Sequence, residues 1–186
     1  TADAFKDNPY VWFNSMFETG EEFDIDQWYS VNHQILSIIR TDKGCNNVVM
    51  IGGSCNGAET DQFGASTVSD EKSYILTKGK DLVDEFGNIV FMVKVQDEWE
   101  CNSGSQTLNK LNDYIDRIRA KGMAIVAGTW MTSSPETSGW YKEGPQSYPN
   151  AARAVIASCK QRNFGQIVWH WNSGDRSDLT KFTTKQ

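Results

Sequence analysis

The chain has 186 residues, of which 18 are lysine or arginine and 24 are aspartate or glutamate, and its net charge is −6. This length is enough for one domain with a sizeable core, and we treat residues 1–186 as a single domain. The acidic balance and the lack of a basic cluster argue against nucleic acids and membrane surfaces as partners. Four cysteines without CxxC spacing and only two histidines give no indication of a metal site or of another cofactor.

The predicted elements alternate between strands and helices. The first strand opens the stretch Asn8–Gly20, an apolar run that starts with Asn-Pro and ends in polar residues and glycine. Four further apolar runs have the length of buried strands: Val48–Ser54, Asn88–Val95, Ala124–Trp130 and Gly165–Trp171. Helical spacing predicts the remaining elements, with one helix or two short ones in the second range: Ile25–Arg40, Ser69–Phe86, Ser105–Lys121, Asn150–Gln161 and Ser177–Phe182. Such alternation is typical of an α/β fold with a parallel sheet covered by helices.

Polar and aromatic side chains follow the predicted strands. In parallel α/β folds the functional side chains lie at the carboxyl ends of the strands, because the loops there are free to carry function. This rule selects the following candidates: Glu18, Asn56, Glu59, Asp97, Glu98, Glu100, Thr129 and Trp169.

Five segments resemble, in order, the fourth to eighth strands of the glycoside hydrolase family 5 barrel, and most closely that of the bacterial β-mannanases. They read NPYVWFNSMFETG, NVVMIGGS, NIVFMVKV, KGMAIVAGTW and GQIVWHWNSGDRSDL. The last two match best, since one strand ends in glycine and an aromatic residue and the other carries Trp-x-Trp before an Asn/Gly-rich loop. The resemblance implies a parallel five-stranded half of a TIM-type (β/α)8 barrel with helices on the outside.

The family's chemistry needs an acid/base carboxylate after the fourth strand and a nucleophilic carboxylate after the seventh. The resemblance places Glu18 at the acid/base position and Thr129 at the nucleophile position, where a hydroxyl cannot form the glycosyl ester. Phe17 replaces the usual asparagine neighbour, and Lys94 and Gln96 replace aromatic or histidine positions of the sixth strand. These departures imply that hydrolytic activity is lost, which leaves Glu18 as a vestigial carboxylate that caps the following helix. If activity is retained, the resemblance implies a retaining mannanase or cellulase.

Three tryptophans are candidate carbohydrate-binding residues. Trp169 matches the sugar-platform tryptophan of the family's last strand, and Trp130 and Trp99 follow neighbouring strands. Flat aromatic rings stack on sugar faces, but a tryptophan on a barrel strand also packs in the core. Both interpretations stay open for each of the three.

Other acidic residues have two interpretations each. Glu59, Glu98 and Glu100 either replace the missing nucleophile from neighbouring loops or are solvated loop acids. Asp175 and Asp178 lie in a Ser/Gly-rich turn, where they hold a cation or cap a helix, and the shortage of other oxygen ligands favours the cap.

The cysteines predict a disulfide. Cys55 and Cys101 follow adjacent strands at their carboxyl ends, close enough to bridge. A disulfide between them indicates an oxidising, extracellular setting.

Five parallel strands cannot close a barrel, so the edges Asn8–Asn14 and Gly165–Trp171 and an apolar inner face need a cover. The cover is the missing N-terminal half-barrel, as the rest of a longer polypeptide or as a separate half, or else a second copy or neighbours in a polymer. Copies joined head to tail can form a filament. Three functions remain open: a non-hydrolytic structural unit, a carbohydrate-binding pseudoenzyme, and a fragment of an active β-mannanase-like enzyme acting on a polysaccharide.

Overall fold

The computed structural model describes residues 2–6, 8–16, 18, 23–62, 64–131 and 149–169. Five strands alternate with helices, as predicted. The strands are β1 (Phe13–Met16), β2 (Val49–Gly52), β3 (Ile89–Val95), β4 (Ala124–Trp130) and β5 (Gly165–Val168). The helices are α1 (Ile25–Ser37), α2 (Lys80–Phe86), α3 (Gly104–Ala120) and α4 (Pro149–Arg162). π-helical turns extend α1 to Asp42 and precede α2 from Ile75. The predicted helix Ser177–Phe182 lies outside the described residues.

All five strands are parallel and form one sheet in the order β1-β2-β3-β4-β5. The spatial order therefore equals the order along the chain, which is the arrangement of consecutive units in a (β/α)8 barrel. The predicted fold class is confirmed.

The convex side of the sheet packs against the helices. Alternate residues of the three central strands belong to this helix-side core: Val49, Ile51, Ile89, Phe91, Val93, Val95, Ile125 and Ala127. Because neighbouring side chains on a strand point to opposite faces, the residues between them point to the concave side, where Met50, Met92 and Lys94 are also buried.

The concave side carries exposed apolar residues at both edges of the sheet. Phe13 and Val168 pack on the helix side, so alternation places Trp12, Ile167 and Trp169 on the concave side. These three side chains are 48%, 47% and 45% exposed. Large apolar side chains that stay exposed to solvent along the edges of a sheet are typical of interaction surfaces.

Arg40 joins several loops at the amino end of the sheet. Its guanidinium donates hydrogen bonds to four backbone carbonyls, those of Cys45, Phe86, Gly87 and Asn88, at 2.9–3.2 Å. The loops before β2 and β3 are thereby fixed to α1, as expected for the end of the sheet that supports stability.

The predicted disulfide between Cys55 and Cys101 is not formed, because all four cysteines are free thiols. The buried Cys101 thiol instead donates to the carbonyl of Ala65, at 3.3 Å, and to that of Trp99, at 3.6 Å. Cys55 lies in a separate 3-10 turn, Cys55–Gly57, in a left-handed conformation. The local hydrogen bonds of the Cys101 thiol and the tight turn at Cys55 therefore take the place of the predicted bridge.

No helix in the described ranges is both long and apolar enough to cross a membrane.

Candidate functional site

Lys94 of β3 lies at the centre of the candidate site. It is 5% exposed, and its Nζ donates to Glu18 Oε1 at 3.5 Å. A bulge shifts the register between β3 and β4, so that Val93 pairs with Ala127 but Lys94 pairs with Thr129. The bulge makes Thr129 the backbone neighbour of Lys94, so Lys94 contacts one predicted catalytic position, Glu18, through its ammonium and adjoins the other, Thr129, in the strand register.

Thr129 has a buried hydroxyl whose Oγ1 forms no hydrogen bond with the residues that the structure describes. A neutral hydroxyl in this position supplies neither a carboxylate nucleophile nor a negative charge. The ion pair and the threonine together leave the two predicted catalytic positions with one carboxylate.

Glu59 does not replace the missing carboxylate. Its side chain is fully buried and accepts five hydrogen bonds. The donors are Ser54 N at 2.5 Å, Ser54 Oγ at 3.1 Å, Ile75 N at 3.2 Å, Tyr114 OH at 2.8 Å, and Ser73 Oγ. Burial raises the pKa of Glu59, and the donors from Ser73, Ser54 and Tyr114 oppose that rise. The interpretation of Glu59 as a solvated loop acid is also wrong.

Glu100 has a structural role as well. It is 7% exposed and accepts hydrogen bonds from Asn150 N at 3.2 Å and Ala151 N at 2.8 Å, in the first turn of α4. A carboxylate at this end of a helix satisfies amide groups without intrahelical partners and is favoured by the helix dipole.

Glu98 is the remaining candidate acid, and it lies in the turn Asp97–Trp99 directly after β3. Glu98 Oε2 and Asp97 Oδ1 are buried and have no hydrogen-bond partner in the described part of the chain. Burial, followed by the nearby charge of Asp97, raises the pKa of Glu98 from 4.5 to about 7, while Lys94 opposes the rise. Glu98 is therefore a partly protonated carboxyl group at neutral pH, a state suited to proton transfer.

The three candidate tryptophans have different environments. Trp99 is fully buried, donates from Nε1 to the carbonyl of Ala58 at 2.9 Å, and contacts the Tyr114 ring edge-on at a centroid distance of 5.5 Å. Trp130 is 6% exposed and belongs to the helix-side core. Among the described residues both rings are packed in the core, which favours the structural interpretation, and the carbohydrate-binding role of these two stays a prediction. Trp169 is 45% exposed, and its predicted role in carbohydrate binding stays open.

Lys110 and Trp99 fix the turn that carries Glu98. The buried Lys110 ammonium donates to the carbonyls of Glu98, at 2.9 Å, and Gln62, at 3.4 Å, and lies 5.4 Å from the centre of the Trp99 ring. Burial lowers the pKa of Lys110.

No group of three or more histidine, cysteine, aspartate or glutamate side chains suited to a metal ion occurs among the described residues. The acidic pair Asp175 and Asp178 lies outside the described residues, as does Phe17.

Residues 1–175 match the family model for cellulase, glycosyl hydrolase family 5. The chain belongs to glycosyl hydrolase family 5. The resemblance noted in the strand segments is thereby confirmed. No curated protein matches the sequence.

Solved structures of family 5 enzymes share the fold. A mannanase catalytic domain from Streptomyces sp. SirexAA-E has a TM-score of 0.70 at 15% identity, with 95% of this chain and 49% of that chain covered. A β-mannanase from Streptomyces thermolilacinus with mannohexaose has a TM-score of 0.66 at 17% identity, covering 91% and 48%. A triple variant of an endo-β-1,4-glucanase from Xanthomonas axonopodis pv. citri has a TM-score of 0.68 at 16% identity, covering 95% and 55%. The chain thus spans about half the length of these family 5 structures.

Sequence reasoning identified Lys94 as a departure from the family 5 pattern but missed its contact with Glu18. The available signal was a lysine inside the apolar run NIVFMVKV, because a buried lysine needs a polar or charged partner.

Proposed function

We propose that this chain is a family 5 half-barrel without hydrolytic activity, which acts as an extracellular assembly unit through its open strand edges. The observation that carries the proposal is the Lys94–Glu18 ion pair beside the neutral Thr129. Retaining hydrolysis needs two carboxyl groups about 5–5.5 Å apart on either side of the scissile bond. Here a buried ammonium contacts the first position, and the second holds a hydroxyl.

Within the described ranges no further strand pairs with the outer edges of β1 and β5, which supports the assembly role. Trp12 lies beside β1, while Ile167 and Trp169 lie at β5, and all three place exposed apolar surface on the concave side. The length of the related structures, about twice that of this chain, supports cover by further β/α units. These units belong to an N-terminal half, on the same polypeptide or on a separate one, or to copies joined β5 to β1, and the arrangement of joined copies propagates as a filament.

The extracellular location is part of the same proposal. Its support is the family relationship to mannanases and glucanases, whose polymeric substrates lie outside cells. Because the cysteines are free thiols, a disulfide does not support the extracellular location.

Incubation of the chain with mannan, glucan and xylan is expected to release no reducing sugar above the buffer blank. The physical reason is the loss of one of two required carboxylates, which act as a unit. Product formation that Glu18→Gln abolishes would contradict the proposal. Product formation that Glu98→Gln abolishes instead would assign the missing carboxyl function to Glu98 and identify the chain as part of an active glycosidase.

Association through the β5 edge is expected to depend on Ile167. Light scattering at increasing protein concentration should show species larger than the monomer, and Ile167→Lys should shift them towards monomer because a charge at an edge opposes pairing. Ile156→Lys is the matched control, since Ile156 is 44% exposed on α4. Electron microscopy of the associated material distinguishes a filament from a closed oligomer. A wild-type chain that stays monomeric at all concentrations would overturn self-association.

Carbohydrate binding is the second candidate function, and the half-exposed Trp169 at the carboxyl end of β5 favours it. Its test is titration calorimetry with mannooligosaccharides, in which Trp169→Ala should abolish the heat of binding. Absence of heat at millimolar ligand would leave the assembly role.

A further inference from the structure

The net charge of −6 is distributed unevenly along the chain. Residues 1–103 contain 7 lysine or arginine residues and 18 aspartate or glutamate residues, whereas residues 104–186 contain 11 and 6. The first part therefore has an excess of 11 negative charges, and the second has an excess of 5 positive charges. The sign of the charge changes at the start of α3.

The order of the strands makes this asymmetry spatial. Since β1 to β5 lie side by side in chain order, the acidic part of the sequence forms the β1 side of the half-barrel and the basic part forms the β5 side. Among the described residues, α1 is the outermost helix on the β1 side and α4 is the outermost helix on the β5 side. The two outer edges of the sheet thus belong to regions of opposite charge.

Helix α4 carries positive charge that can reach a partner. It contains Arg153, Lys160 and Arg162 and no acidic residue. Arg162 pairs with Asp116, but Arg153 and Lys160 are exposed. Neither forms an ion pair in the part of the chain that the structure describes. Two cations of this helix are therefore available to a negatively charged surface.

Helix α1 and the residues at its ends carry the opposite charge. Asp24, Asp26 and Asp42 are exposed and form no ion pair within the described segments. Arg40, the basic residue of the same segment, is held by four backbone carbonyls. Because α1 precedes β2 and α4 precedes β5, Asp42 and Lys160 both lie at the amino end of the sheet.

We propose that copies of the chain associate with the basic β5 side of one copy against the acidic β1 side of the next, and that this charge complementarity sets the direction of the joint. The inference rests on the association of copies proposed above and specifies the surface that each copy offers. A joint of β5 to β5, or of β1 to β1, would bring like charges together. Complementary charges of this kind select orientation and speed association more than they add affinity, and the exposed apolar residues at the edges supply the contact.

Charge reversal at Lys160 tests the basic side. Lys160→Glu should raise the dissociation constant measured by sedimentation equilibrium roughly three- to tenfold, since an exposed attraction is replaced by a repulsion. The measurement is made at about 0.1 M salt, where a Debye length of about 10 Å screens distant charges more than those near the joint. Wild-type association should weaken at about 1 M salt, because the Debye length then falls to about 3 Å.

Two further variants separate charge complementarity from the general repulsion between acidic chains. Lys6→Glu makes the chain more negative by the same amount as Lys160→Glu, but Lys6 is exposed on the β1 side, so association should not weaken. Asp42→Lys makes the chain less negative, yet it should weaken association because it reverses a charge on the acidic side. Circular dichroism of each variant checks that the fold is retained.

The outcomes distinguish this proposal from the association on which it rests. Equal weakening by Lys160→Glu and Lys6→Glu would overturn the proposal, because net charge alone would then control association. Association that neither salt nor these variants change would also overturn it, and loss of that association in Ile167→Lys would leave the edge contact standing without a charge contribution. A wild-type chain that stays monomeric under all conditions would overturn both the direction of the joint and the association of copies.

Discussion

Replacement of Glu59 with alanine is expected to destabilise the chain by about 3–5 kcal/mol, the cost of removing one partner from a buried charged network. The substitution removes the acceptor of five hydrogen bonds and leaves the buried amides of Ser54 and Ile75 without that partner, while the hydroxyls of Ser54, Ser73 and Tyr114 keep their other contacts. Each unsatisfied donor carries a desolvation cost. Urea unfolding followed by circular dichroism measures the loss, and the melting temperature should fall by roughly 10 °C.

Two variants control the Glu59 experiment. Glu71→Ala removes an exposed glutamate from the same stretch of chain and should change stability by less than about 0.5 kcal/mol. Glu59→Gln keeps the shape and one acceptor oxygen, so it should cost less than the alanine substitution. A loss below about 1 kcal/mol for Glu59→Ala would show that the donors find other partners.

Glu98 is expected to make the stability of the chain fall as the pH rises from about 4.5 to about 7, the interval between its ordinary pKa and its raised pKa. The unfolded chain releases this proton at lower pH than the folded chain does, so ionisation favours unfolding across this interval. The contribution is fully present below pH 4.5 and lost above pH 7. At about 1.4 kcal/mol per pKa unit, the loss reaches up to about 3 kcal/mol.

Comparison of wild type with Glu98→Gln isolates this effect. Glutamine does not titrate, so the variant should match wild type near pH 4.5 and exceed it by up to about 3 kcal/mol near pH 8. Burial also raises the pKa of Glu59. Because Glu59 is present in both proteins, its contribution cancels in the difference between their free energies of unfolding. A difference that does not change with pH would show that Glu98 ionises in the folded chain as it does in water.

The fold was predictable because the short apolar runs of the strands and the three-to-four-residue spacing of the helices were both clear in the sequence. The strand Ala124–Trp130 has its predicted bounds, and α3 occupies Gly104–Ala120 against a predicted Ser105–Lys121. Errors occur where the chain leaves regular geometry. The stretch from Ser69 is a turn until the π-helical segment at Ile75, because turns with scattered apolar residues imitate a helical pattern.

The candidate site was predictable in its positions but not in its contacts. Residue identity alone showed that Thr129 cannot act as a carboxylate. The pairing of Lys94 with Thr129 depends on a register shift that has no sequence signature, and its contact with Glu18 joins residues 76 positions apart. Similarly, Trp99 and Trp169 both follow strands, yet only the three-dimensional packing shows that one is buried and the other is half exposed.

The sequential order of the strands has a consequence for folding. Each strand pairs with the next one along the chain, but paired residues such as Phe13 and Val49 are separated by a whole crossover helix. Parallel pairing across such separations is slow compared with the formation of helices. The seven-residue strands β3 and β4 occupy interior positions, whereas β1 and β5 have four residues each. Amide hydrogen exchange should therefore be slowest in β3 and β4 and fastest at the two edges. A partner that covers those edges would be detected first as a slowing of exchange in β1 and β5.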